Sequence, residues 1–356
     1  MLQQELKRVS ELITNIIRND EYCDTVEPLF LREAVSDYPL RAGKRLRPAL
    51  LLWTCGLLGG DARRAEYVAA AVEVYHNWTL VHDDIIDDDN MRRGMPTTHV
   101  KITNYGKETY KLVGAKSEKF GYDFAMLTGD LQNSWANSLL LKTLEKGVSA
   151  EIVLSIYKDL FGDTTRQLIN GEALDVDFSY RKIQDLSVDD VERMICLKTG
   201  ALLNFCVKAG AKIALNTTDD NHEQIRKIVK FASAVGMAFQ LRDDWLGIYG
   251  DSDKLGKPIG SDVCSAKPTV LVLETLKRLS REEKLVFIRH LGKPKISTST
   301  LDYVKKVITD SGAEYVVLEK IQKLKNDAEK TISSFCGNKY RELLVELNNY
   351  LLNRKV

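Results

Sequence analysis

Five aspartates fall within seven consecutive positions at the end of a long apolar segment, AEYVAAAVEVYHNWTLV. They are Asp83, Asp84, Asp87, Asp88 and Asp89. On a helix, Asp83 and Asp87 share one face, and Asp84 and Asp88 share the neighbouring face. Like charges at this spacing repel each other, and the C-terminus of a helix is already the negative end of its dipole. Folding gains nothing from this arrangement, so the cluster indicates a function.

Divalent cations would neutralise these carboxylates. Oxygen ligands without a nearby cysteine favour a hard ion such as Mg²⁺. The run lacks the alternating carboxylates and the glycine of a calcium-binding EF-hand loop. A solvated acidic helix end is the ordinary alternative, and this run alone leaves the two interpretations open.

Basic residues cluster on both sides of the acidic run. Lys44, Arg45 and Arg47 open a predicted helix, where cations and free backbone N–H groups together suit a phosphate. Arg92 and Arg93 follow the aspartates directly, and guanidinium is the best bidentate partner for phosphate oxygens. A solvated basic turn and simple ion pairing are the alternative interpretations.

A second aspartate pair ends another long apolar segment. Gln240, Asp243, Asp244 and Gly247 lie at positions i, i+3, i+4 and i+7, so they share one helical face. Weaker signals lie between the two acidic segments, at Glu172, Asp175, Lys198 and Thr199. Two acidic helix ends and several basic clusters provide the parts of a diphosphate–Mg²⁺ site. Metals would bridge the carboxylates to diphosphate, and lysine and arginine would hold the remaining oxygens.

Composition sets the class of protein. The 356 residues carry a net charge of +1 and are 44% hydrophobic, which argues against disorder and against a nucleic-acid-binding protein. The six cysteines form no CxxC pair, as is typical of reduced thiols in the cytoplasm. The N-terminus lacks the apolar core of a signal peptide, and no window reaches eighteen uninterrupted apolar residues. We therefore predict a cytoplasmic protein with no membrane span.

Apolar residues recur at spacings of three and four along most of the chain, which predicts an all-α fold. No proline occurs between Pro96 and Pro258, and neither strand patterns nor a linker are evident. We predict one helical domain over residues 1–356, with a polar surface insertion at about 105–122 and charged helices on the outside over 276–356. The other predicted helices span 2–19, 25–37, 44–59, 62–87, 123–145, 149–172, 187–209 and 220–247.

With these motifs in this order, the sequence resembles the trans-type (all-E) isoprenyl diphosphate synthases from about Gly43 to Thr269. The ordered set of motifs is far more specific than any one of them. The matching residues are the GKRLRP turn, Asp83-Asp84-x-x-Asp87, Arg92-Arg93, Lys198-Thr199, Phe239-Gln240-x-x-Asp243-Asp244, Lys257, Asp262 and Lys267-x-Thr269.

The resemblance implies antiparallel helices around a deep central cavity, usually in a homodimer. It also implies Mg²⁺-dependent head-to-tail condensation of isopentenyl diphosphate with an allylic diphosphate (dimethylallyl, geranyl or farnesyl) through a carbocation. The residues carried over as catalytic are Asp83, Asp87, Lys198, Asp243 and Lys257. Those carried over as direct metal ligands are Asp83, Asp87 and Asp243, with Asp84 and Asp244 supporting. Those around the allylic diphosphate are Arg92, Lys198, Thr199, Gln240, Lys257 and Lys267, and those around isopentenyl diphosphate are Lys44, Arg47, His76 and Arg93.

His76 also has support from the helical wheel, because it lies seven residues before Asp83 and within about 20° of the same face. A core histidine bonded to a backbone carbonyl is its ordinary alternative. Asp88 and Asp89 are predicted only to hold Arg92 and Arg93 in place.

Product length is predicted to depend on Trp78 and Thr79, which lie roughly 6–8 Å before Asp83 along the helix axis. A bulky residue followed by a small one at these positions resembles the short-chain synthases. We expect a C20 product, geranylgeranyl diphosphate, with farnesyl diphosphate as the close alternative, and we expect Trp78→Ala to lengthen the product. Ordinary helix packing is the alternative interpretation of Trp78.

Two positions depart from the family pattern: Gly247 replaces the third aspartate of the second motif, with Asp251 one turn later, and Glu172 replaces a glutamine. Two alternative functions also stay open. A class I terpene cyclase would share the fold, but its second metal motif differs from Asp243-Asp244. A non-catalytic subunit of a heteromeric synthase usually lacks one aspartate motif, and the first motif here is complete.

Overall fold

The computed structural model describes residues 1–250, 259–293 and 297–352. Helices account for nearly all of the regular structure in these ranges, which confirms the predicted all-α class. In chain order the helices are α1 (Leu2–Arg18), α2 (Leu29–Leu40), α3 (Leu46–Leu57), α4 (Glu66–Ile86), α5 (Thr98–Tyr110), α6 (Ala115–Leu141), α7 (Ala150–Tyr157), α8 (Thr165–Tyr180), α9 (Val188–Ile195), α10 (Ala201–Leu215), α11 (Glu223–Tyr249), α12 (Ser261–Cys264), α13 (Val270–Arg278), α14 (Arg281–Ile288), α15 (Thr298–Asp310), α16 (Ala313–Ser333) and α17 (Lys339–Leu352).

The chain divides into two compact units. The first unit comprises residues 1–158 and 209–219, and the second comprises 159–208 and 220–356. The prediction of a single domain over residues 1–356 stays a prediction.

In the first unit, α4 packs along α6 and also contacts α3. Every residue of α3 from Pro48 to Leu57 is buried, and α4 buries most of Val68–Tyr75. Each large apolar side chain removed from water contributes roughly 1.5–3 kcal/mol, so this apolar face fixes the direction of α4. The end of α4 that carries the aspartates is held by Val81, which packs with Tyr38 and Ala125.

In the second unit, α11 packs along α16 over a core that includes Leu241, Ile248, Leu271 and Phe287. The charged C-terminal helices also contribute to this core. Their buried core residues are Val304, Ile308, Val317 and Ile321. Each of these amphipathic helices buries one apolar stripe. The placement of residues 276–356 on the outside of the bundle stays a prediction.

The predicted helices are present, but several boundaries differ. Residues 105–122 lie mostly at the surface, as predicted, and they form the end of α5, a turn with Lys111 in the left-handed region (φ 57°), and the start of α6. Phe30, Tyr105 and Phe120 form an aromatic cluster there, with ring centroids 4.6 and 5.9 Å from Phe30. This apolar packing turns a polar sequence into a helical hairpin. Whether it is an insertion relative to the family stays a prediction.

Irregular segments interrupt two of the predicted helices. π-helical turns cover Lys158–Thr164 and Cys196–Gly200. A small antiparallel ribbon, Met91–Arg92 paired with Met95–Pro96, was not predicted either.

Among the residues that the structure describes, one helical run, Val188–Leu215, is long and apolar enough to cross a membrane by composition. However, 61% of its most apolar window is buried inside the protein, as is typical of a core helix. The cytoplasmic location stays a prediction.

Candidate active site

The first acidic cluster lies at the C-terminal end of α4. Asp83 and Asp84 occupy its last turn, and the amide of Asp87 donates to the carbonyl of Asp83 at 2.8 Å. The helix stops because Asp88 adopts a left-handed backbone (φ 53°). Asparagine and aspartate are the non-glycine residues that best tolerate this conformation. Local geometry thus places Asp83 and Asp87 one turn apart.

Asp84 is fully buried and is held by two partners. Its Oδ2 accepts a 2.6 Å hydrogen bond from the Tyr38 hydroxyl, and its Oδ1 accepts from Arg92 Nε at 2.5 Å. Burial raises the pKa of Asp84, and the Arg92 guanidinium and the Tyr38 hydroxyl oppose that rise. Both oxygens of Asp84 are therefore engaged with the protein, which suits the supporting role predicted for it.

Asp83 and Asp87 are the more accessible carboxylates. The Asp83 side chain is 21% exposed and lies 3.4 Å from Arg92 Nη2, and Asp87 is exposed. Within the described ranges, no three carboxylate, imidazole or thiol side chains converge on one metal position. This fits Mg²⁺, which proteins often bind through one or two carboxylates while substrate phosphate and water complete the shell. The oxygen-only donor set at this helix end thus suits Mg²⁺.

The ribbon presents the two arginines that follow. Arg93 and Gly94 form its two-residue turn with positive φ angles of 55° and 74°, as in a type I′ hairpin. Arg93 donates to the carbonyl of Ala42 at 3.2 Å. Desolvation lowers the pKa of Arg93, and Arg45 and Arg92 lower it further. Cations held this close together favour an anion between them. Asp89 lies 3.7 Å from Arg92, as predicted, but Asp88 accepts instead from Tyr122.

The GKRLRP turn depends on a buried ion pair. Arg45 has a left-handed backbone (φ 47°) and donates to Glu73 Oε1 at 2.5 Å and to the carbonyl of Pro39 at 2.6 Å. Arg45 is therefore structural. It shapes the turn at the start of α3, from which Lys44 projects as an exposed side chain.

Arg47 contacts the predicted histidine directly. Its Nη1 lies 3.0 Å from His76 Nε2. Since guanidinium can only donate, Nε2 is the acceptor, so His76 is neutral with its proton on Nδ1, which faces Thr79 Oγ1 at 3.4 Å. Burial lowers the pKa of His76 well below its usual value, and Arg47 and Arg93 lower it further. The first unit thus brings together Arg47, His76 and Arg93.

The second acidic cluster lies near the C-terminal end of α11. Asp244 is buried, and its Oδ1 accepts from Gln240 Nε2 at 3.0 Å, one turn earlier. Thr199 donates to Gln240 Oε1 at 3.2 Å and so fixes the orientation of this amide. Burial raises the pKa of Asp244 to about 7, and the Asp262 carboxylate contributes to the rise. Asp243 lies beside it and is partly exposed.

Lys198 lies within the π-helical turn Cys196–Gly200, and such turns often mark functional sites. Its ammonium is 2.8 Å from both Glu172 Oε2 and Asp175 Oδ2. Lys267 lies 3.6 Å from the same Asp175 oxygen. Burial works against the charge of Lys267, but Asp175 and Asp244 raise its pKa above the usual value. Two predicted phosphate-binding cations therefore share one carboxylate.

Gly247 occupies the place of the missing third aspartate. A Cβ atom added to Gly247 would lie 2.9 Å from Asp262 Oδ2, so the Asp262 carboxylate occupies this space. The amide of Gly260 also donates to the Gly247 carbonyl at 2.9 Å. The predicted residue Lys257 and the nearby Asp251 lie outside the described residues.

Trp78 and Thr79 lie one turn before the first aspartates on α4. Thr79 donates to the carbonyl of His76 at 2.8 Å. Trp78 packs edge-to-face on Tyr75, with ring centroids 4.8 Å apart, and donates to His82 Nδ1 at 3.1 Å. His82 also faces the Met126 carbonyl on α6 at 3.2 Å, so both of its ring nitrogens have partners in the protein and it is not a candidate metal ligand.

Three residues of this site were missed from the sequence: Tyr38, His82 and Tyr122. Tyr38 lies 46 positions before Asp84, and no local pattern connects the two. Tyr122 donates to Asp88 at 2.7 Å from the segment interpreted as an insertion. His82 alone had a signal, since it is adjacent to Asp83 and four residues after Trp78.

Two acidic helix ends, each accompanied by lysine or arginine on an all-α fold, fit an enzyme that acts on diphosphates, and comparison with known proteins identifies a prenyl diphosphate synthase, an enzyme that transfers prenyl groups. The chain belongs to the polyprenyl synthetase family, whose profile matches residues 30–308. The chain is 36% identical over 296 residues to the geranylgeranyl diphosphate synthase of Sulfolobus acidocaldarius, covering 82% of this chain and 81% of the relative. It is 33% identical over 285 residues to the farnesyl diphosphate synthase of Haemophilus influenzae, covering 78% and 88%.

Solved structures agree with this assignment. The geranylgeranyl pyrophosphate synthetase of Pyrococcus horikoshii superimposes with a TM-score of 0.85 at 30% identity over 99% of both chains. A geranylgeranyl pyrophosphate synthase of Corynebacterium glutamicum, in complex with isoprenyl diphosphate and magnesium, gives 0.83 at 27% identity over 99% of both chains. The chain is therefore a short-chain trans-prenyl diphosphate synthase of a family that uses a divalent metal and prenyl diphosphate substrates.

Proposed function

We propose that this protein is a Mg²⁺-dependent geranylgeranyl diphosphate synthase that adds isopentenyl diphosphate to an allylic diphosphate. The observation that carries the proposal is the pair of acidic helix ends, each with accessible and buried carboxylates and with cations beside them. The similarity to geranylgeranyl diphosphate synthases supports the C20 product. The similarity to a farnesyl diphosphate synthase makes the C15 product the alternative to be tested.

Asp83, Asp87 and Asp243 would hold the Mg²⁺ ions, because they are the accessible carboxylates of the two clusters. When bound, Mg²⁺ would neutralise the negative charge that develops on the departing diphosphate. Asp84 and Asp244 would position these ligands from the buried side. The residues proposed to bind the allylic diphosphate are Arg92, Lys198, Thr199, Gln240, Lys257 and Lys267.

The reaction needs no nucleophile from the protein. When the allylic C–O bond breaks, its electron pair leaves with the diphosphate, and an allylic carbocation remains. The cations around the diphosphate stabilise the developing charge without having to reorganise, which lowers the barrier to ionisation. The double bond of isopentenyl diphosphate then attacks the cation, and loss of a proton to the released diphosphate restores an alkene.

Isopentenyl diphosphate would bind the cluster formed by Lys44, Arg47, His76 and Arg93. Since Arg47 donates to His76, the imidazole stays neutral, with its Nδ1–H directed toward Thr79 Oγ1. The neutral ring keeps Arg47 oriented and adds no further positive charge. A bidentate guanidinium so oriented suits the terminal phosphate.

Product length would be limited by the Trp78 indole and the small Thr79 side chain. We expect Trp78→Ala to shift the product beyond C20, because it removes the largest side chain before the first motif. We also propose a homodimer, which light scattering would test. The large apolar residues that α6 exposes, Met126, Leu127 and Leu141, are compatible with such an interface.

The deciding experiment incubates the purified protein with Mg²⁺, isopentenyl diphosphate and each of dimethylallyl, geranyl and farnesyl diphosphate in turn. Products are hydrolysed and identified by chromatography. A C20 alcohol from all three primers is expected. A C15 ceiling would assign a farnesyl diphosphate synthase, diphosphate release without elongation would indicate a cyclase, and no turnover would indicate a subunit.

A further inference from the structure

His82 connects Trp78 to the neighbouring helix. Trp78 and His82 are four residues apart on α4 and share one face. The indole N–H of Trp78 lies 3.1 Å from His82 Nδ1 and can only donate, so Nδ1 is the acceptor. In the neutral imidazole the proton therefore lies on Nε2. This nitrogen faces the backbone carbonyl of Met126 on α6 at 3.2 Å and donates to it.

The surface of α6 is recessed where His82 lies. Gly129 follows Met126 by one turn, and a Cβ atom there would lie 2.1 Å from Nε2 and 2.4 Å from Cδ2 of His82. A glycine inside a 27-residue helix costs roughly 1 kcal/mol relative to alanine. Close approach of the imidazole accounts for that cost, because any side chain at this position would displace the ring.

These contacts fix the direction of the Trp78 indole. One edge of Trp78 is bonded through His82 to the backbone of α6, and Tyr75 packs against its ring at an interplanar angle of 72°. Because His82 is itself bonded to the Met126 carbonyl, its hydrogen bond with the Trp78 indole leaves the indole little freedom to rotate about χ1. A tryptophan without this support could swing aside and change the depth available to a growing chain.

We propose that His82 is a positioning residue for product length: it holds the Trp78 indole against α6 and so sets the chain length at which elongation stops. This inference rests on the proposed synthase function and on the role proposed there for Trp78. It assigns to His82 no contact with substrate and no part in ionisation.

The test compares product lengths for Trp78→Phe and His82→Phe. Trp78→Phe keeps an aromatic ring but removes the N–H, and His82→Phe keeps a ring of similar shape in the recess at Gly129 but removes both hydrogen bonds. Each variant should raise the ratio of products longer than C20 to C20 by roughly fivefold, the factor expected from one neutral hydrogen bond. The double variant should give no larger change than either single variant, since both break the same chain of contacts.

Trp135→Phe is the matched control. Trp135 is a buried tryptophan in the same unit whose indole donates to the Asp20 carboxylate at 2.9 Å, so the same substitution removes an indole hydrogen bond that is at least as strong and lies away from Trp78. Loss of stability alone would affect this control as well. Only a change in product length confined to the Trp78 and His82 variants supports the proposal.

Two results would overturn it. One is an unchanged product ratio in His82→Phe while the wild-type enzyme elongates normally, because the smaller ring of Trp78→Phe can lengthen the product without any role for His82. Failure of the wild type to elongate would instead refute the proposed function. The other is direct: ¹⁵N NMR of histidine-labelled protein should show His82 protonated on Nε2, and a proton on Nδ1 would contradict the contacts. The NMR result does not depend on activity.

Discussion

At the end of α4 the buried aspartate, Asp84, accepts from a guanidinium and a phenol, whereas on α11 the buried aspartate, Asp244, accepts from an amide. Both residues belong to an Asp-Asp pair near a helix C-terminus, and both are desolvated. Arg92 contacts Asp84 directly and opposes the rise in its pKa. Asp244 has Asp262 nearby, which adds to the rise, and its pKa reaches about 7.

The buried aspartates of two similar motifs thus have different electrostatic surroundings. Asp84 has a guanidinium in direct contact. Asp244 accepts from a neutral amide, and Lys267 only partly offsets the effects of burial and of Asp262 on its pKa. This difference predicts that the two ends depend differently on pH and metal.

The largest expected effect is on catalysis. Asp83→Asn and Asp243→Asn should each reduce kcat for elongation by roughly 10³-fold, about 4 kcal/mol, because each removes a proposed metal ligand. Steady-state assays with Mg²⁺ and saturating substrates measure this. Asp88→Asn is the control, since Asp88 is exposed and bonded to Tyr122. Full activity in either ligand variant would show that only one acidic end is catalytic.

The next effect concerns pH. The folded pKa of Asp244, about 7, lies above its usual value of 3.8. Between these values the folded protein holds a proton that the unfolded chain releases. The stability that Asp244 contributes is therefore fully present below about pH 4 and is lost as the pH rises through 7. In EDTA, the free energy of unfolding of the wild type should fall by an amount on the order of 3 kcal/mol between pH 5 and pH 8 because of Asp244. Asp244→Asn should not show this decrease.

Denaturant titrations of wild type and Asp244→Asn at the two pH values give this difference directly, since other titrating groups cancel. As the pH rises, the free energy of unfolding of the variant should increase relative to that of the wild type. Parallel pH profiles would contradict the electrostatic contrast between the two ends.

Tyr38→Phe should destabilise the protein by about 2 kcal/mol. The change removes a 2.6 Å hydrogen bond to the buried Asp84 carboxylate and leaves the amide of Thr98, now 3.2 Å from the hydroxyl, without its acceptor. Tyr122→Phe removes a hydrogen bond to the exposed Asp88 and should cost less than about 1 kcal/mol. Urea unfolding compares the two. Equal losses would mean that Asp84 is not specially supported.

The smallest effect is at Gly247. Gly247→Ala should be nearly neutral: the end of the Asp262 side chain must move from its 2.9 Å approach, and alanine regains about 1 kcal/mol of helix propensity. Gly247→Asp adds a carboxylate beside Asp262 and should cost up to about 1 kcal/mol more than alanine in metal-free buffer. Mg²⁺ should reduce the difference in thermal stability between Gly247→Asp and Gly247→Ala. The same difference with and without Mg²⁺ would argue against metal binding beside residue 247.

Contacts within one or two turns could be predicted from the sequence. The i, i+4 pair Gln240 and Asp244 is an example, since helical periodicity alone brings the two side chains together. Contacts between distant segments could not, such as Tyr38 with Asp84 or the buried pair of Arg45 and Glu73. The sequence suggested that Arg45 binds phosphate as its neighbours do, because the sequence of a basic turn does not show which of its side chains is buried.

Backbone irregularities were also beyond sequence reasoning. The π-helical turn at Lys198 keeps the apolar spacing of an ordinary helix, so periodicity could not reveal it. The packing of residues 105–122 could not be predicted from this polar segment, because its aromatic cluster includes Phe30, some 75 positions earlier. Both are decided by packing against other segments.

The sequence by itself determined the all-α class, the family and the two acidic helix ends, because these depend on periodicity and on ordered local motifs. Only the tertiary structure decided which aspartate of each pair is buried, what neutralises it, and how Trp78 is connected through His82 to α6. The physical reason is that desolvation and hydrogen-bond partners depend on segments far apart in the chain. Similar local motifs therefore acquire different electrostatic surroundings.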